Sequence, residues 1–170
     1  MHVIDTDFQR LSDWTIPDLL GELGVYVLWD GKAKARPTYI GEGNILRRLV
    51  EHENKFARPL DGFVAVLSND YMPWQHAKAD GTIVEAMLLS VAKQTDRKPS
   101  INVAPGRLRA LTDIFARHGT VRINVSGMDP LRPPEENPRL SSCRRVTLRE
   151  TSDGQIEVEH SWRTRRQRQF

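Results

Sequence analysis

Apolar and polar residues follow two different periods along this chain, and the changes between them mark its elements. Val25 to Trp29 is apolar throughout, and alternation puts Tyr26 and Leu28 on one face with Val25, Val27 and Trp29 on the other. A strand is predicted there. A turn at Asp30-Gly31 and a return strand from Thr38 to Gly41 make the pair an antiparallel hairpin. Gly41-Glu42-Gly43-Asn44 breaks the second strand, and Asn44 is suited to cap a helix running to about Asn54. Gly62 to Leu67 predicts a third strand, short and apolar enough to be central. After an irregular stretch from Ser68 to Ala79, Asp80-Gly81-Thr82 opens a second helix to about Lys93, with Ile83, Val84, Met87, Leu88 and Val91 among its apolar positions.

The flanks are less regular. Residues 3–20 read as a mixed lead-in whose Phe8, Leu11, Trp14 and Ile16 cover apolar surface, with Pro17 starting a helical turn. Arg107 to His118 predicts an amphipathic helix ended by Gly119, and Val121 to Val125 a strand. A Gly- and Pro-rich connection follows from Ser126. Val146–Glu150 and Gln155–Trp162 then alternate around Ser152-Asp153-Gly154, a hairpin signal. The expected fold is α+β: a small three-stranded antiparallel sheet flanked by helices, with a C-terminal helix and β-hairpin extension. Its parts are a lead-in over 1–21, a central domain over 22–105 and an extension over 106–170.

Composition narrows the class. With 170 residues, 39% of them apolar and 28% charged, the chain is expected to be soluble and to bury a modest core. It holds no apolar run of 18 residues, and Met1-His2-Val3-Ile4-Asp5 lacks the pattern of a signal peptide. The single cysteine, Cys143, cannot form an intrachain disulfide and reads as a small packing residue, which fits a cytoplasmic location. Net charge is +3, unevenly spread. Residues 1–138 carry 17 Lys/Arg against 18 Asp/Glu, whereas 139–170 carry 8 Arg against 4 acids. An arginine-only excess suits a phosphate-bearing partner, and equally suits a solvated tail.

Helical phase sorts the polar residues that could carry chemistry. In the helix after Asn44, Ile45, Leu46, Leu49 and Val50 define the apolar side. Arg48 and His52, at i and i+4, fall on its edge, and Arg47 points to solvent. The pair is either turned inward or is a snorkelling arginine beside a surface histidine. In the later helix, Glu85 shares a stripe with Leu88, Leu89 and Ala92. A carboxylate there either reaches water at the stripe's edge or is held by a partner or a metal, because burying it alone costs several kcal/mol.

Gly24-Val25-Tyr26 and Tyr39-Ile40-Gly41 resemble the two half-motifs of the GIY-YIG endonuclease family. The resemblance continues in order through Arg48, His52, Glu85 and Asn102, and covers about residues 22–105. Valine stands for isoleucine in the first tripeptide, the Gly41–Arg48 interval is one residue shorter than the commonest spacing, and Glu42 occupies a position where a small or basic residue is frequent. The resemblance implies metal-dependent hydrolysis of DNA phosphodiesters, with Glu85 holding Mg2+ (or Mn2+) and Tyr26 as general base. Arg48 would stabilise the pentavalent phosphorus, Tyr39 and His52 would orient water or move protons, and Asn102 would fix the geometry. A phenol with an ordinary pKa of about 10 must be shifted for that task. The basic hairpin tip (Lys32, Lys34, Arg36) and the arginine-rich end (Arg163, Arg165, Arg166) would grip the DNA backbone without reading sequence. A homodimer would let one-site subunits cut both strands. Two other classes fit the same residues: a catalytically inactive nucleic-acid-binding protein of this fold, and an unrelated hairpin-plus-helix protein in which they are structural.

Overall fold

The structure is a computed structural model that describes residues 1–29, 36–56, 61–68, 74–97, 99, 115–136 and 139–162. Its strands are β1 (His2–Arg10), β2 (Leu23–Trp29), β3 (Tyr39–Asn44), β4 (Asp61–Val66), β5 (Thr120–Gly127), β6 (Arg144–Glu150) and β7 (Ile156–His160). Its helices include α1 (Ile16–Leu19), α2 (Ile45–Phe56) and α3 (Trp74–Gln94).

All seven strands form one sheet in the order β3-β2-β4-β1-β5-β6-β7. The α+β class is therefore as expected, but the small three-stranded sheet is not. The three expected strands are only one end of a larger sheet. Its fourth strand, β1, comes from the stretch that reads as a lead-in. β1 pairs in parallel with β5 from His2↔Val121 to Phe8↔Gly127, then meets β4 antiparallel only at Gln9 and Arg10. The alternation of β1 is real, with Ile4, Thr6 and Phe8 buried. Asp5, Asp7 and the inward Thr6 disguise it as a polar segment.

β2 is the axis of the motif half. All seven of its residues are buried, and it pairs with β3 and β4. Its alternation holds as read from sequence. Val25, Val27 and Trp29 join a large core with Ile83, Val84, Met87 and Leu88 of α3. Tyr26 and Leu28 join a smaller core with Leu19, Ile45, Leu49 and Val64. The two long helices therefore cover opposite faces. Each fully buried aliphatic or aromatic side chain contributes roughly 1.5–3 kcal/mol, so the larger cluster dominates stability and the smaller one positions the tyrosine.

Several boundaries differ from expectation. β3 does not break at Gly41 but runs to Asn44, which pairs with Leu23. Asn44 still caps α2: its Oδ1 accepts the Arg47 N–H at 3.1 Å. α3 starts two turns before Asp80, at Trp74. In those turns Ala77 and Asp80 are the buried residues, so no apolar stripe announces them. Asp80 is held by His2 Nε2 at 2.8 Å, which ties the start of β1 to α3. Val50, expected on the apolar side of α2, is 49% exposed, and the inward stripe is Ile45, Leu49 and His52. Cys143 is exposed rather than packed. Among the described residues, no helix is long and apolar enough to cross a membrane.

Candidate active site

The site forms where α2 faces the bare end of β3. Tyr26 on β2 lies opposite Gly41 in the register. A Cβ at position 41 would fall on the Tyr26 hydroxyl and lie 2.7 Å from Cε1 of Tyr39. Glycine here is a steric necessity: it lets one tyrosine lie across β3 and the other stand beside it. The two rings are nearly parallel, 6.1 Å apart at 17°. His52 comes down from α2 with its ring centroid 4.5 Å from Tyr39 and 5.5 Å from Tyr26. The hydroxyl of Tyr26 and Nε2 of His52 are 3.0 Å apart in a buried hydrogen bond.

Arg48, one turn before His52, lies over the next glycine of β3. A Cβ on Gly43 would be 3.6 Å from its Nε. Its side chain is 39% exposed against 70% for Arg47, in line with helical phase, and both arginines pair with Glu51. Arg48 thus keeps one side on the strand and one toward water. On the other face of β3, Glu42 lies opposite Val25 and packs against Gly81 of α3. Glu85 follows one turn further along α3, and both carboxylates are buried. Sequence reading noted Glu42 only as a departure. Its signal was an acid flanked by two glycines within a strand.

These groups act on one another through the field. Burial raises the pKa of Tyr26 far above that of a free phenol. Tyr39, Glu85 and Glu42 push in the same direction, and Arg48 opposes them. His52 moves the other way: burial lowers its pKa, aided by Lys55 and Arg48. At neutral pH the phenol is therefore protonated and the imidazole neutral. In the tautomer that carries its proton on Nδ1, the Tyr26 O–H donates and His52 Nε2 accepts. Tyr26 is only 1% exposed.

The structure thus gathers Tyr26, Tyr39, Arg48 and His52 on the α2 face, with Glu85 acting on the same phenol from α3. Arg36 is exposed at the return of the hairpin. Asn102, Lys32, Lys34, Arg163, Arg165 and Arg166 lie outside the described residues. Among the described residues, no three His, Cys, Asp or Glu side chains group as a metal cage. Among the described residues are two buried carboxylates whose field reaches the phenol, a donor set that fits a hard cation keeping most of its own waters. No family model, curated protein or solved structure matches the chain.

Proposed function

We propose that this protein is a metal-dependent endonuclease that hydrolyses phosphodiester bonds in DNA, of the GIY-YIG type that its motifs resemble. The observation that carries the reading is convergence on one phenol. Tyr26 is hydrogen-bonded to a neutral histidine, opposed by an arginine and flanked by the field of two carboxylates. Packing alone does not call for four charged or titratable groups around a buried tyrosine.

In this reading His52 Nε2 takes the Tyr26 proton as the phenol oxygen takes one from water, so the net result is a hydroxide aimed at phosphorus. Neutral His52 is in the right state to receive that proton. Arg48, half in solvent, faces the phosphate and offsets charge on its non-bridging oxygens. Tyr39 holds the ring geometry of His52. Glu85, with Glu42 beside its stripe, would hold Mg2+ or Mn2+, which when bound supplies positive charge that lowers the phenol pKa and relieves the leaving oxygen. Nicking of supercoiled plasmid in magnesium tests this. Wild type should nick and stop in EDTA, and Glu85→Ala should fold yet not nick. Magnesium-dependent nicking by Glu85→Ala would remove the metal assignment.

The near-complete burial of Tyr26 favours a second reading, a nucleic-acid-binding protein of the same fold without catalysis. It predicts DNA binding by the wild type with no cleavage in either metal.

A further inference from the structure

The first two turns of α3 run on past the part of the helix that packs on the sheet. A Cβ on Gly81 would lie 3.4 Å from Glu42 Oε2 of β3 and 3.9 Å from the carbonyl oxygen of Gly24, near the start of β2. Glu85 is buried one turn later. Trp74 opens the same helix, seven residues before Gly81 and eleven before Glu85. At 3.6 residues per turn those spacings place all three within about 20° of one line along the axis. Gly81 and Glu85 meet the sheet on that line. Trp74 lies on it roughly 16 Å before Glu85, and there it is 57% exposed.

Burial does not account for this indole. Among the described side chains Trp74 is the one exposed aromatic, and the other exposed large apolar residues, Met1, Val3, Ile16, Leu20 and Val50, are aliphatic. In its two turns the buried residues are Ala77 and Asp80, so no apolar stripe draws the ring inward. A cation holds it instead. Lys78 Nζ stands 5.1 Å from the ring centroid, over one face. The opposite face is left for a second planar group. No acid occupies the first turn of α3, so the ammonium sets the charge beside the ring.

We infer that Trp74 is a stacking platform for an unpaired base of the DNA strand to be cut. The inference rests on the endonuclease reading above and narrows its substrate to DNA with a single-stranded stretch beside the cut. Every base offers a π-face to an indole, whereas a base inside a duplex is already stacked and must leave its place first. Lys78 supplies positive charge for the phosphates flanking the stacked base. The offset from Glu85 matches at most about five nucleotide steps of 3.4 Å, which sets the distance between the held base and the cut.

The test is binding by the full chain in EDTA, read as anisotropy of a labelled single strand and of its duplex. The wild type should bind the single strand, and Trp74→Ala should bind it about 5–150-fold more weakly with duplex affinity unchanged. Because the indole is exposed, Trp74→Ala should melt within about 2 °C of the wild type. Trp74→Phe should keep most of the single-strand affinity. It should also lose the quenching of indole emission that base stacking produces, which separates Trp74 from the chain's other three tryptophans. Equal single-strand binding by the wild type and Trp74→Ala, or equal losses on single strand and duplex, would overturn the platform. Adding magnesium then separates the two claims. Nicking by the wild type, with Trp74→Ala binding every DNA normally, removes the platform alone. A loss confined to the single strand, with no nicking by the wild type, removes the nuclease and leaves the platform on a DNA-binding protein.

Discussion

Tyr26→Phe isolates the hydroxyl on which the proposed chemistry depends. The ring stays, so packing in the small core of Leu28, Ile45, Leu49 and Val64 is retained and no cavity of ring size forms. What is lost is one buried hydrogen bond of 3.0 Å to His52 Nε2. A buried bond broken from one side costs about 1–3 kcal/mol, and for a chain of this length each kcal/mol lowers Tm by about 2–4 °C. A fall of roughly 2–12 °C is expected by scanning calorimetry at pH 7.5. The donor also favours the neutral imidazole, so its loss should move the His52 pKa part of the way back toward that of a free histidine, visible by NMR titration of the ring protons. Burial remains the larger cause, so return should be incomplete. Nicking should fall by about 10²–10⁴, the usual contribution of a general base. A variant that melts like the wild type would refute the hydrogen bond. One that melts lower but nicks at the wild-type rate would refute the catalytic role and leave Tyr26 as a packing residue.

Further expectations follow from the same geometry. Gly41→Ala places a methyl group against Tyr26 and Tyr39, so it should displace both rings and lower Tm relative to the wild type, measured by scanning calorimetry. The lowered pKa of His52 means the unfolded chain takes up a proton that the folded one resists. Its contribution to stability is therefore complete above about pH 6.5 and is lost as pH falls toward the folded value, and His52→Gln should flatten that limb of the stability–pH curve. At the alkaline end the unfolded Tyr26 ionises near pH 10 while the folded phenol does not, so stability should fall as pH rises above 10, and less so in Tyr26→Phe. Deleting residues 163–170 removes four arginines and should reduce the slope of log K against log salt for duplex DNA by up to about 3–4; an unchanged slope would make that end a bystander.

The parts of the fold legible in sequence were those specified by near neighbours. β2 announces itself because all of its residues are apolar or aromatic, and α2 because Asn44 caps it and Ile45, Leu49 and His52 share a phase. β1 was not legible because its inward residues include Thr6 and its partner lies over a hundred residues away. The opening turns of α3 were not legible because an inward aspartate replaces an apolar residue, and its partner, His2, is again distant. The same division runs through the site. Arg48 could be told from Arg47 by phase alone, and Glu85 stood out as an acid on an apolar stripe. Glu42 gains meaning only from chain segments that meet in the folded state.

The parallel pairing of β1 with β5 also has a consequence for synthesis of the chain. His2 waits for Val121, 119 positions later, which at ribosomal rates is roughly 6–24 s. Until then only Gln9 and Arg10 have a partner strand to meet, once Phe63 and Val64 have emerged. The motif half can therefore assemble first around β2, with Asp80 available to hold His2 in the meantime. During that interval one side of β1 is an open strand edge, the stage at which a nascent chain is most exposed to mispairing.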